Sequence, residues 1–204
     1  SFFDPVTLAR GNEYIERDRE DFHYTDRINE EAVAFITDHA RSGDGRPFLL
    51  YVAHTAPHWP LHARESDIEA WAGRYDAGWD ALRAERLERQ RAMGLVDPGW
   101  SPTARDDRVK AWDEVDHPAW QARRMEVYAA QVEQLDRGIG WIVDALRETG
   151  RLENTVFVFI ADNGGCAEEI TSRWGSLSIP DETHDGRPVI RGNDPAIMPG
   201  DDET

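Results

Sequence analysis

Three histidines stand four residues apart in PFLLYVAHTAPHWPLHA: His54, His58 and His62. On a helix that spacing would turn three imidazoles to one face, as zinc ligands. Pro57 and Pro60 rule out a regular helix there, which leaves one histidine acting as a hydrogen-bond donor or general acid. His58, between the two prolines, is the candidate. A loop histidine bonded to backbone carbonyls is the plain structural alternative. A second polar group, Asp162-Asn163-Gly164-Gly165, ends another apolar run. Its carboxylate and amide oxygens are hard ligands for calcium or magnesium, but two residues cannot fill a shell of six to eight. Asn-Gly is also an ordinary turn signal, although no clean return strand follows it. Cys166 is the one cysteine. Glu168 and Glu169 beside it disfavour a thiolate, so it reads as a small packed residue rather than a nucleophile.

The elements that must position these residues follow from periodicity. Phe48 to Ala53 and Thr155 to Ala161 are apolar runs bounded by turn residues, and read as buried, parallel strands. Ligands in open α/β sheets bind beyond the carboxyl ends of strands, where His58 and Asp162 follow. A helix precedes each run. Thr25 reads as an N-cap; Ile28, Ala32, Phe35, Ile36 and His39 recur at helical spacing, and Ser42-Gly43-Asp44-Gly45 closes the helix. Ala119 to Thr149 is the longest candidate, with an apolar stripe of Met125, Tyr128, Val132, Leu135, Ile139, Ile142, Val143 and Leu146, and Gly150 at its end. Gly138 and Gly140 within it cost about 1 kcal/mol each against alanine, which implies a closely packed neighbour.

Between these units, residues 64–124 are dominated by charge and interspersed with tryptophan. Ala81 to Met93 should be helical, and Pro98, Pro102 and Pro118 break the rest into loops. Residues 1–24 show no clear period, and the Gly-, Pro- and Asp-rich stretch after Gly165 reads as loop. Alternating helix and strand give an α/β class.

Composition excludes some functions. At a net charge of −17, a basic face for nucleic acid is improbable, as is adhesion to anionic membranes. That field also repels a free sulfate or phosphate ester unless a cation offsets it, which points to a bound metal ion. Hydrophobic residues make up 40% of the 204 and there are eight tryptophans, enough for a packed core. No run approaches the roughly 18 apolar residues of a membrane span. No signal peptide is visible, and one cysteine leaves the compartment open.

Taken in order, DFHYTDRINEEAVAFI, PFLLYVAHTAPHWPLHA, GRYDAGWDALRAERLERQRAMGLVD and MEVYAAQVEQLDRGIGWIVDALRETGRLENTVFVFIADNGG resemble the bacterial arylsulfatases, sulfatases of the alkaline-phosphatase superfamily. DGRPVIRGNDPAIMPG resembles the tail that follows. The resemblance implies an alkaline-phosphatase-like α/β sandwich, its central mixed, mostly parallel sheet flanked by helices and incomplete in this chain. Residues 1–204 would then be a single partial catalytic domain with a helical, Trp-bearing insertion at about 64–118. It implies that His58 hydrogen-bonds the sulfate and protonates the leaving-group oxygen. It implies that Asp162 and Asn163 help to hold one calcium ion, the rest of the shell coming from elsewhere. The substrate would be a small-molecule sulfate ester; His54 and His62 match no catalytic position.

Sulfatases take their nucleophile from a cysteine in Cys-x-Pro/Ser-x-Arg, oxidised to formylglycine. Cys166 lies in Cys-Ala-Glu-Glu-Ile and does not fit, the N-terminal aspartate pair is not found, and Lys110 matches neither pocket lysine. The expectation is an internal fragment, inactive by itself, with open apolar edges. A phosphatase or phosphodiesterase of the same superfamily and a non-catalytic module on the same scaffold are the alternatives.

Overall fold

The computed structural model describes residues 2–43, 45–166, 181–183, 185–190 and 193–201. In chain order, a hairpin of β1 (Leu8–Arg10) and β2 (Glu13–Ile15) precedes helices α1 (Tyr24–Ser42), α2 (Glu65–Glu69), α3 (Gly78–Ala92) and α4 (Pro118–Glu148). The strands pair antiparallel, Leu8 opposite Ile15 and Arg10 opposite Glu13, around a turn with Gly11 at φ +63°. This hairpin corrects the irregular reading of residues 1–24. Six paired residues are too few to show a period, but Gly11-Asn12 carried the turn signal.

α1 begins one residue before Thr25. His23 is the N-cap residue, extended at φ −141° and ψ 128°, and no side chain caps the helix. Thr25 is instead buried in the first turn. The other end follows the sequence: Gly43 takes the left-handed conformation that a residue with a Cβ adopts at a cost. The buried face of α1 is Thr25, Asp26, Asn29, Ala32 and Ile36, so its N-terminal half is polar. Phe35, placed in the apolar stripe by periodicity, is 60% exposed.

α4 starts with Pro118 in its first turn, where the ring fits and no N–H is needed. It is the long helix expected, with its faces reassigned. Its buried face is small and polar through the middle (Ala129, Ala130, Gln131, Gln134 and Gly138), with Val127 and then Ile142 and Leu146 as the large apolar residues on either side. Much of the expected apolar stripe (Tyr128, Val132, Leu135 and Ile139) lines an open cleft instead. Gly138 behaves as its cost implies, since a Cβ there would overlap the Asn29 carboxamide. Gly140 does not; a Cβ there meets nothing within 4 Å.

Two apolar clusters hold the helices. Ala32 and Ile36 of α1 meet Ile142, Ala145 and Leu146 of α4, with Leu50 and Val52 packed against them. Ile68 of α2 joins Ala63, Val127 and Ala130 in the second.

The two expected strands are not paired among the described residues. Among the described residues the one sheet is the β1–β2 hairpin, and neither 48–53 nor 155–161 joins a ladder. Leu50 and Val52 turn inward, while Leu49 is 97% exposed and Tyr51 is exposed as well. Val156 is 88% exposed, and Phe157 to Ile160 are all exposed. A strand exists through its neighbours, and no described residue pairs with these runs.

Within 64–118, α3 confirms the helix expected over 81–93, with Gly94 at φ +71° just beyond it. Trp79 and Trp112 meet edge to face at 4.8 Å, and Gly78 has no side chain to obstruct Trp112. Asp80 accepts from the Trp112 N–H at 2.9 Å and from Arg105 at 2.8 Å. Among the described residues, no helix is long and apolar enough to cross a membrane.

Candidate active site

The histidine loop runs from the end of the 48–53 segment to the start of α2, with cis bonds at Ala56–Pro57 and Trp59–Pro60. It sends its three histidines to different environments. His54 is half-buried, its Nε2 2.8 Å from Asn29 Oδ1, and burial lowers its pKa. His58 is exposed. Its Nδ1 lies 2.9 Å from the Trp59 carbonyl, with the two rings 4.8 Å apart. His62 is buried, and its Nδ1 accepts from the Phe2 N–H at 3.3 Å. Among the described residues no group of three His, Cys, Asp or Glu is placed to hold a metal ion. The three imidazoles do not converge on one point.

The bond to the Trp59 carbonyl sets the chemistry of His58. A carbonyl oxygen only accepts, so Nδ1 carries hydrogen, and a neutral ring then has its lone pair on Nε2. Nε2 becomes a donor when the ring is an imidazolium. His58 thus accepts a proton when neutral and gives one when charged, at a single exposed nitrogen.

Asp162 and Asn163 lie exposed on a bend after the 155–161 segment. Together with His54, His58, Tyr128 and Cys166 they line one open cleft of about 1830 Å³. The glycine turn beyond them approaches α4, where a Cβ on Gly165 would sit 3.7 Å from Tyr128 Oη. The donor chemistry fits calcium, and the number of donors is short: two hard oxygens against six to eight. The exposed Cys166 lies on the rim of the same cleft.

Sequence reasoning missed the polar layer behind the loop. Gln134 Nε2 lies 3.0 Å from both His23 Nδ1 and Asp26 Oδ1. Arg64 donates to Asp26 Oδ2 at 2.5 Å and to the Asp21 carbonyl at 2.9 Å. Gln131 donates to the Pro60 carbonyl at 3.2 Å, and the Ala63 N–H to the Gly200 carbonyl at 2.9 Å. The available signal was polar residues recurring at helical spacing: Thr25 and Asn29 on α1, Gln131, Gln134 and Gly138 on α4.

His23 makes that layer acid-sensitive. Its ring sits between Phe2 and Phe3, and burial, then the Arg64 guanidinium, lower its pKa to about 4. Asp26, the His62 backbone and Asp67 pull the other way and lose. The unfolded ring takes its proton near 6.5, so between these values the unfolded chain binds more protons. Stability from this group is complete above pH 6.5 and falls as pH drops towards 4, by roughly 3 kcal/mol in full. Urea unfolding at pH 7 and pH 5 should show a smaller difference for His23→Asn than for the unaltered protein. Equal differences would show that other groups carry the acid loss.

The family model described as Sulfatase matches residues 3–196. An uncharacterized sulfatase of Schizosaccharomyces pombe is 34% identical over 166 residues, 80% of this chain and 29% of that protein. An arylsulfatase of Klebsiella aerogenes is 33% identical over 121 residues, 58% of this chain and 26% of its own. The N-sulphoglucosamine sulphohydrolase of Homo sapiens is 30% identical over 157 residues, 66% of this chain and 28% of its own. The chain spans under a third of the length of these curated relatives.

Proposed function

The chain belongs to the sulfatase family, and from that premise we propose that it carries part of an arylsulfatase-type active site. Hydrolysis of sulfate esters is the chemistry of this family, and the observation that favours these residues is a shared cleft. His58 and Asp162–Asn163, far apart in sequence, open on the same space.

In this reading His58 binds the sulfate and passes the Nε2 proton to the leaving-group oxygen as the sulfur–oxygen bond breaks. The Trp59 carbonyl orients the ring for that transfer by holding Nδ1–H. Asp162 and Asn163 each offer one oxygen to calcium. When bound, that ion polarises the sulfate oxygens and offsets the acidic charge of the chain. The nucleophile, a formylglycine made from cysteine, comes from outside this sequence, because Cys166 lacks the Pro/Ser and Arg of the motif.

The fold completes in the same way. Segments 48–53 and 155–161 are inner strands of an alkaline-phosphatase-like sandwich whose other strands lie beyond these residues. Their exposed apolar side chains and the greater length of the relatives support this. Residues 64–118 are an insertion in that single partial catalytic domain.

Two measurements test the proposal. Assayed with 4-nitrophenyl sulfate, the 204-residue chain should give no turnover, and catalysis that tracks its purity would overturn the outside nucleophile. Calorimetric calcium titration should give weak binding, with Kd of about 10⁻³ M or above, lost in Asp162→Ala. A tight site abolished by that change would mean a shell far more complete than two oxygens. Unchanged heats in Asp162→Ala would remove Asp162 from the metal altogether.

A further inference from the structure

The histidine loop is pinned at both ends by buried polar groups. At the entry, Asn29 Nδ2 donates to the Thr25 carbonyl at 2.9 Å. Reversing that amide would set two oxygens against each other, so Oδ1 must face His54, and His54 Nε2 must be the donor across 2.8 Å. Gly138 leaves the room this carboxamide occupies. At the exit, Gln131 donates to the Pro60 carbonyl, and the buried His62 accepts from the Phe2 N–H. Asn29 and Gln131 are both buried, one on α1 and the other on α4. Between the pins, the His58 ring bonds its own neighbour, Trp59.

We propose that Asn29 and Gln131 are positioning residues for His58. Each is a buried carboxamide on a rigid helix, and each fixes one end of the span that carries the exposed imidazole. Neither touches substrate. The inference rests on the role given to His58 above and deepens it: a general acid must be held to within about 0.5 Å, and sites anchored on helices are more precise than free loops. A carboxamide suits these places because it stays uncharged at every working pH; Asn29 uses its donor and its acceptor at once, and Gln131 its donor.

The test is nuclear magnetic resonance of the histidine rings, with thermal unfolding followed alongside. The unaltered protein should show a slowly exchanging Nε2–H resonance from His54. Asn29→Leu should lose it and shift the carbon-bound ring resonances of His58. Gln131→Leu should keep the His54 resonance and still shift His58. His54→Phe and the double variant Asn29→Leu/His54→Phe should move His58 equally, because Asn29 acts through His54. In the complete polypeptide, both leucine variants should lower kcat roughly 10- to 100-fold with KM little changed. If Asn29→Leu does not fold, Gln131→Leu and His54→Phe decide the matter. His58 resonances unmoved in the folded variants would overturn the proposal. These spectra need no turnover, so they judge the pinning separately from the sulfatase reading. Unmoved spectra in an active enzyme would reject the positioning role alone; shifted spectra in an inactive one would reject the reaction and keep the pinning.

Discussion

Gly138→Ala is expected to destabilise the protein by about 2–4 kcal/mol, while Gly140→Ala, two residues away on the same helix, stabilises it by about 1 kcal/mol. The two positions separate helix propensity from packing. Alanine favours a helix interior over glycine by the same increment at both. At Gly140 a Cβ meets nothing within 4 Å, so that increment should appear whole. At Gly138 the new methyl would overlap the Asn29 carboxamide, which is buried and bonded at both ends. Relief requires α1 to move away from α4 or Asn29 to leave His54 and the Thr25 carbonyl. The first breaks the principal helix pair, and the second leaves buried polar groups without partners, at about 1–3 kcal/mol. Urea unfolding reads the difference directly. The double variant Asn29→Ala/Gly138→Ala should lose less than the sum of the singles, since the clashing group is gone. Equal stability of Gly138→Ala and Gly140→Ala would show that the α1–α4 interface is looser than its geometry.

That contrast also shows what could be read from sequence and what could not. Both glycines looked alike there, and only contact with another helix tells them apart. α1, α3 and α4 were legible because their signals are local: repeated spacing, a closing glycine, a proline at the start. The faces of α4 were not. Periodicity finds apolar stripes, and the middle of the buried face of α4 is Ala129, Ala130, Gln131, Gln134 and Gly138, which carry little hydrophobic signal; only Ile142 and Leu146, further along, belong to the expected stripe. The apolar runs 48–53 and 155–161 were visible as runs, but strand pairing depends on residues far away in the chain, and no described residue supplies it. His58, Asp162 and Asn163 stood out by chemistry and by what precedes them; that they face a common cleft is a property of the packed helices. His23 gave no sign at all, since its depressed pKa comes from Phe2, Phe3 and Arg64 closing around it.

If His58 has the role proposed for it, His58→Ala, in a polypeptide that also carries the nucleophile, is expected to lower kcat for sulfate-ester hydrolysis by about 10²- to 10⁴-fold, with the loss graded by leaving group. The grading follows from where the proton goes. His58 holds Nδ1–H on the Trp59 carbonyl, so the proton it gives leaves from Nε2 of the charged ring. An alkyl sulfate expels a basic alkoxide and needs that proton in the transition state. A nitrophenyl sulfate expels a stable phenolate and needs it far less. The variant should therefore approach the unaltered enzyme on 4-nitrophenyl sulfate and fall furthest on the ester with the most basic leaving group. KM should rise as well, by roughly 10- to 100-fold, because a hydrogen bond between a charged ring and the sulfate contributes about 1.5–3 kcal/mol to ground-state binding. An equal loss across all leaving groups would mean that His58 binds the sulfate without protonating its partner oxygen. A loss seen in KM alone would leave it no part in the bond-breaking step.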